Sequence, residues 1–99
     1  CGAAYGVTRN RIVARLSGRI LDTAVGLGAQ AIVVACPLCQ QNLDLRQYQV
    51  NRYWQRRFDL PVIYITQVVG VALGLDPARL GLDKLFVQPD FLLKIPALL

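Results

Sequence analysis

The junction between Ala31-Ile32-Val33-Val34-Ala35 and Cys36-Pro37-Leu38-Cys39 constrains this chain more than any other feature. A short, unbroken, β-branched run reads as a strand covered on both faces of a parallel sheet. Pro37 cannot continue that strand, and it suits the first turn of a helix. A helix is expected over about 38–58, with Leu43, Val50, Trp54 and Phe58 on one stripe. Pro61 ends the connection, and 61–66 (Pro-Val-Ile-Tyr-Ile-Thr) reads as a second strand. Strand, helix, strand is a βαβ unit, whose crossover is expected to be right-handed.

The flanks extend this α/β pattern. Apolar residues at Val7, Ile12, Val13, Leu16, Ile20, Leu21, Ala24 and Val25 follow a period near 3.6, so one helix is expected over 7–26. Gly26 and Gly28 suit a left-handed cap at its end. A short apolar helix is expected at about 67–74. Asp76-Pro77 then opens a helical turn to Leu80, with Asp76 as N-cap. The tail from Leu82 is apolar and Pro-interrupted, and is expected to pack across the domain or against further protein. The fold class is thus α/β, a small parallel sheet in a βαβ arrangement flanked by helices.

Composition removes several function classes. Ninety-nine residues make one domain at most. With 55% hydrophobic and 17% charged residues the chain is not a disordered segment. The longest apolar runs, 31–36 and 68–75, fall far short of the roughly 20 residues of a membrane span. No charged leader opens the chain, which suggests a cytoplasmic location. Histidine is absent, so these residues offer no Ser–His or Cys–His pair and no imidazole ligand. Methionine is absent too, and the start at Cys1-Gly2-Ala3 reads as part of a longer protein.

The net charge of +5 is local. Arg9, Arg11, Arg15 and Arg19 form one cluster, and Arg46, Arg52, Arg56 and Arg57 another. Two solvated helix faces explain them best. A nucleic-acid surface over 46–58, with Tyr48, Tyr53, Trp54 and Phe58 for stacking, is the weaker reading because Trp54 and Phe58 share the apolar stripe.

The chemistry resides in Cys1, Cys36 and Cys39. Ligands bind outside the carboxyl ends of parallel strands, where Cys36 and Cys39 would sit. A helix start there favours thiolates. A helix of about 30 Å carries the chain away from Cys1 and a strand of about 20 Å brings it back. Cys1 is therefore expected beside Cys36 and Cys39. Three converging cysteines suggest metal ligands. A structural disulfide is disfavoured without a secretion signal. Zinc in a closed site needs four ligands and an iron–sulfur cluster at least four thiolates, so further donors must come from elsewhere.

Cys1-Gly2-Ala3, a helix, the segment Gly-Ala-Gln-Ala-Ile-Val-Val-Ala-Cys-Pro-Leu-Cys at 28–39, and Leu-Pro-Val at 60–62 resemble the later part of a CCG (cysteine-rich) domain. That family's motif is a cysteine, a long spacer, Cys-Cys-Gly, a spacer of thirty-odd residues, and CxxC. Here 34 residues separate Cys1 from Cys36. Leu80-Gly81-Leu82-Asp83-Lys84, Val87 and Leu92-Leu93-Lys94 resemble the C-terminus of the heterodisulfide reductase B subunit.

The resemblance implies one partial domain over 1–99, a Rossmann-like half of a CCG domain. It implies a non-cubane [4Fe–4S] cluster held by five cysteines, with Cys1, Cys36 and Cys39 among them. Such a cluster splits a disulfide in one-electron steps or relays electrons. The implied partners are the remainder of the B subunit, an iron–sulfur subunit of C type and a flavin subunit of A type, with no nucleic acid and no membrane span. The first motif cysteine and the first half of the Cys-Cys pair are absent here. The isolated chain is therefore expected to lack a complete cluster and to be inactive, with activity in the parent protein.

Two other readings stay open. Cys36 and Cys39 suit a thioredoxin- or glutaredoxin-like dithiol, with Pro61 imitating that fold's proline, although this leaves Cys1 unexplained. The thiols also suit a structural zinc site. Near the expected ligand edge lie Tyr64, Thr66 and Gln67. For Gln67, capping the next helix outweighs a bond to sulfide or substrate. Arg9 and Arg11, near Cys1, are weighted towards solvation over balancing cluster charge. Tyr48, Tyr53 and Trp54 are weighted towards core and partner contacts.

Overall fold

The computed structural model describes residues 1–96. The expected α/β arrangement is present: two parallel strands, β1 (Ile32–Val34) and β2 (Val62–Tyr64), flanked by helices. Ile32 pairs with Val62, Val33 with Ile63 and Val34 with Tyr64.

The long first helix is divided. α1 (Tyr5–Thr8) and α2 (Asn10–Gly26) meet at Arg9, whose φ of −136° breaks the helical path. α2 ends as its glycines predict. Gly28 adopts φ +77°, its N–H donates to the Val25 carbonyl, and the Ala29 N–H reaches back to Ala24. This is a Schellman closure, and its left-handed residue favours glycine.

The helix after the strand begins at Pro37 and ends earlier than expected. α3 (Pro37–Gln40) leads into a π-turn (Gln41–Leu45) and then α4 (Gln47–Trp54). Gln55 stops it with φ +52°, so Phe58 is buried from the following connection rather than from the helix stripe. A π-turn inserts one residue into the helical repeat and shifts which side chains face inward. Here it buries Asn42, Leu43 and Asp44 in succession.

β2 also stops short of 66. Ile65 and Thr66 open α5 (Ile65–Ala72) instead of ending the strand. After α5, the Asp76 side chain accepts the Ala78 N–H, and the Arg79 and Leu80 amides close successive turns, as the Asp-Pro pair implies.

The core lies between α2, α4 and the sheet. Leu21, Leu43, Val50, Phe58, Leu60 and Val62 form it, with Cys1, Ile32, Val34 and Trp54 packed at its margin. The expectation that β1 is covered on both faces is not met among the described residues. Val33 is 49% exposed, while Ile32 and Val34 are half-buried. Val62 and Ile63, neighbours on opposite faces of β2, are both buried, so the cover on each face reaches β2 and leaves β1 partly open. The tail does pack back: Leu82, Val87 and Pro89 are buried, and the rest of it includes residues 97–99, which lie outside the described residues. α6 (Asp90–Leu93) has no buried residue.

Candidate thiol site at the carboxyl end of the sheet

The expected meeting of Cys1 with the CxxC segment occurs at Cys39. Cys1 Sγ and Cys39 Sγ stand 3.2 Å apart and are half-buried. Cys36 is exposed at the N-cap of α3, with extended dihedrals of −95° and 129°. All three thiols are free.

The local backbone explains this placement. β1 delivers Cys36 to the sheet's carboxyl edge, and Pro37 starts the helix that carries Cys39 one turn on. On the other side, Gly2 takes φ +86° and Ala3 φ +42°, so the chain curls tightly around Cys1. A side chain on Gly2 would press against Val13 as well as require that left-handed backbone. The curl turns the Ala3 N–H back to donate to Cys1 Sγ at 3.4 Å.

Two buried polar residues hold the curl. Ser17 Oγ donates to the Cys1 carbonyl at 3.2 Å. Asn42 Nδ2 donates to the same carbonyl at 3.2 Å and to the Ala3 carbonyl at 2.8 Å. Ser17 and Asn42 are both almost wholly buried. Sequence reasoning missed both. The signal was there for Ser17, a hydroxyl on the buried face of α2 beside Val13, Ala14 and Leu21. Asn42, three residues after Cys39, was visible only once the π-turn was known.

The electrostatics differ between the two CxxC thiols. The backbone amides of Cys39 and then Leu38, at the helix start, pull the Cys36 thiol below its ordinary pKa. Burial, and then the hydrogen bond and charge of Cys36, push the Cys39 thiol up. Against Cys1 lies an open, apolar groove of about 610 Å³, lined in part by Gly2, Ala3, Tyr5, Thr8 and Leu16.

The other candidates fall outside this cluster. Gln67 is spent on structure: its Oε1 accepts the Tyr64 N–H at 2.9 Å and its Nε2 donates to the Leu80 carbonyl at 3.0 Å. This is the capping role given more weight above. Thr66, Arg9 and Arg11 are exposed. Trp54 is half-buried and donates to the Ala14 carbonyl, while Tyr48 and Tyr53 are exposed.

The donor chemistry suits a soft metal, since thiolates select zinc and iron–sulfur centres. Two thiolates on one tetrahedral ion, each about 2.3 Å from it, stand about 3.8 Å apart. From their 3.2 Å separation, Cys1 and Cys39 would need to move apart by about 0.6 Å. Among the described residues, no group of three Cys, His, Asp or Glu side chains is gathered closely enough to hold a metal ion by itself. Any metal bound by these thiols would need donors from beyond them.

Sequence comparison relates the chain to redox subunits. The chain is 36% identical over 98 residues to the B subunit of the ferredoxin:CoB-CoM heterodisulfide reductase of Methanosarcina mazei. The alignment covers 96% of this chain and 33% of that protein. The chain belongs to the family of heterodisulfide reductase B subunits. A second B subunit of this family, from Methanosarcina acetivorans, is 34% identical over the same share of both chains. The 8-methylmenaquinol:fumarate reductase membrane anchor subunit of Wolinella succinogenes is 35% identical over 69 residues, which cover 70% of this chain and 24% of that one. The chain spans about a third of the length of its B-subunit relatives. No family model matches it. Among the described residues no helix is long and apolar enough to cross a membrane.

Proposed function

We propose that this chain is the C-terminal part of a CCG cysteine-rich domain and supplies Cys1, Cys36 and Cys39 as ligands to an iron–sulfur cluster. The parent is a redox subunit of the heterodisulfide reductase B type. The observation that carries the reading is the 3.2 Å approach of Cys1 and Cys39, residues 38 positions apart, at the carboxyl end of the sheet. A core cysteine is satisfied by apolar packing and has no need of a second thiol.

When bound, the non-cubane [4Fe–4S] cluster that the family resemblance implies supplies one-electron chemistry for cleaving a disulfide or passing an electron on. The chain's own residues hold and tune the ligands. The amides at the start of α3 favour the Cys36 thiolate, and the Ala3 N–H donates to Cys1 Sγ. Hydrogen bonds to ligand sulfurs are one of the means by which proteins set the potential of such sites. The remaining donors come from protein outside these 99 residues, in keeping with the third of each B-subunit relative that the chain spans. Activity belongs to that whole protein, working with an electron-carrying iron–sulfur protein and a flavoprotein as its partners.

One observation favours a second reading. An exposed thiol with a lowered pKa, three residues before a more buried thiol with a raised one, is the asymmetry of a dithiol redox pair. Iron, zinc and acid-labile sulfide in the anaerobically purified full-length protein separate the readings. Iron with sulfide supports the cluster. Zinc alone makes the site structural. Metal in neither form overturns the proposal and leaves the Cys36–Cys39 dithiol.

A further inference from the structure

We infer that Asn42 and Ser17 form a clamp on the backbone of residues 1–3, setting Cys1 against Cys39 before any metal arrives. The consequence for a cluster rests on the function proposed above. The clamp itself rests on geometry alone.

The curl at Gly2-Ala3 does not hold itself. Two consecutive residues with positive φ are unfavourable for any L side chain, and Ala3 carries that penalty directly. Such a backbone persists only where its surroundings fix it. Three hydrogen bonds do so, all from buried side chains and all to carbonyls within the curl. Neither donor has another hydrogen-bond partner among the described residues. Buried polar groups of this kind cost stability unless satisfied, so a serine and an asparagine here point to the loop they hold.

The clamp also links both halves of the site mechanically. Asn42 lies one turn after Cys39, on a helix whose π-turn brings both residues towards the curl. Ser17 projects from α2 on the other side. A shift of Cys39 therefore moves Asn42, and Asn42 carries the Cys1 backbone with it. Because Asn42 holds the Ala3 carbonyl, it also keeps the Ala3 N–H directed at Cys1 Sγ. Asn42 and Ser17 are positioning residues: they act on the thiol through the peptide and touch no sulfur.

The test reads the thiol pair directly. The full-length protein, stripped of metal and reduced, is treated briefly with diamide, which takes two electrons and two protons from a thiol pair. Peptide mass spectrometry then gives the ratio of Cys1–Cys39 to Cys36–Cys39 disulfide. In the unmodified protein Cys1–Cys39 predominates. Asn42→Ala, which removes two of the three bonds, lowers the ratio about tenfold, and Ser17→Ala lowers it less. Ala3→Gly, which relieves the backbone and keeps every clamp bond, leaves it unchanged. Circular dichroism confirms that each variant is folded. If Asn42→Ala fails to fold, the milder Ser17→Ala decides. An unchanged ratio in the folded clamp variants overturns the clamp. A changed ratio in a protein that, as purified and before stripping, holds no iron or sulfide upholds the clamp and removes the cluster.

Discussion

The indole N–H of Trp54 donates to the carbonyl of Ala14 at 2.9 Å, and its ring occupies the space where Gly18 lacks a side chain. α2 and α4 cross at this point. A Cβ on Gly18 would overlap the indole itself, so the close approach of these helices depends on glycine. Gly18→Ala should therefore destabilise the fold by about 1–3 kcal/mol, although alanine is the better helix former. Urea denaturation followed by Trp54 fluorescence measures it. An increase in stability would mean that the two helices separate more easily than this packing allows.

Asp44 ties the tail to the helix. Its two carboxylate oxygens accept the backbone N–H groups of Phe86 and Val87, each at 2.9 Å, and Gln40 Nε2 also donates to one of them. The residue is buried, so no water replaces a lost acceptor. Asp44→Asn leaves a single oxygen and turns an NH₂ towards one of the amides. It should cost about 2 kcal/mol, since hydrogen bonds to a charged acceptor are the stronger kind. Hydrogen exchange should rise first at residues 86 and 87, and protection retained there would show that the tail is held by its apolar contacts.

The sequence was readable where a local rule had no competitor. The apolar run before Cys36, Pro37 and the glycines after Val25 each specified a boundary that tertiary packing left alone. It was less readable where packing chose among local options. Nothing in the 7–26 periodicity marks the break at Arg9, because arginine is an acceptable helix residue. Nothing marks the π-turn at 41–45, which becomes favourable only because Asn42 and Asp44 then reach the backbone at 1–3 and at 86–87. The meeting of Cys1 with Cys39 followed from element lengths. The residues that hold Cys1 there are polar side chains within apolar faces, and they read as exceptions until their partners are known.

Thiol reactivity should separate the two CxxC cysteines. The thiolate is the nucleophile, so a thiol with a lowered pKa reacts at lower pH and one with a raised pKa only at higher pH. As pH rises in metal-free protein, Cys36 should be alkylated by iodoacetamide first and Cys39 later. Exposure favours the same order. Raising ionic strength should alter Cys36 little, because the amides at its helix start are short-range and fixed. Peptide-resolved labelling across pH measures both. A pH midpoint for Cys39 below that for Cys36 would show that burial and neighbouring charge do not govern the pair.

Metal content should follow the thiol pair rather than the exposed cysteine alone. Serine keeps the size of cysteine but offers a hard, neutral hydroxyl where a soft thiolate is needed. In the full-length protein, Cys1→Ser and Cys39→Ser should each lower iron and acid-labile sulfide together, by about tenfold or more, because each removes one half of the 3.2 Å contact. Cys36→Ser should lower them too, and its exposed position makes partial retention of iron with a changed reduction potential the expected signature. Iron and sulfide assays beside electron paramagnetic resonance distinguish these outcomes. If Cys36→Ser and Cys39→Ser abolish thiol–disulfide exchange while Cys1→Ser leaves it intact, and no variant changes the metal content, the site works as a dithiol and Cys1 is a bystander.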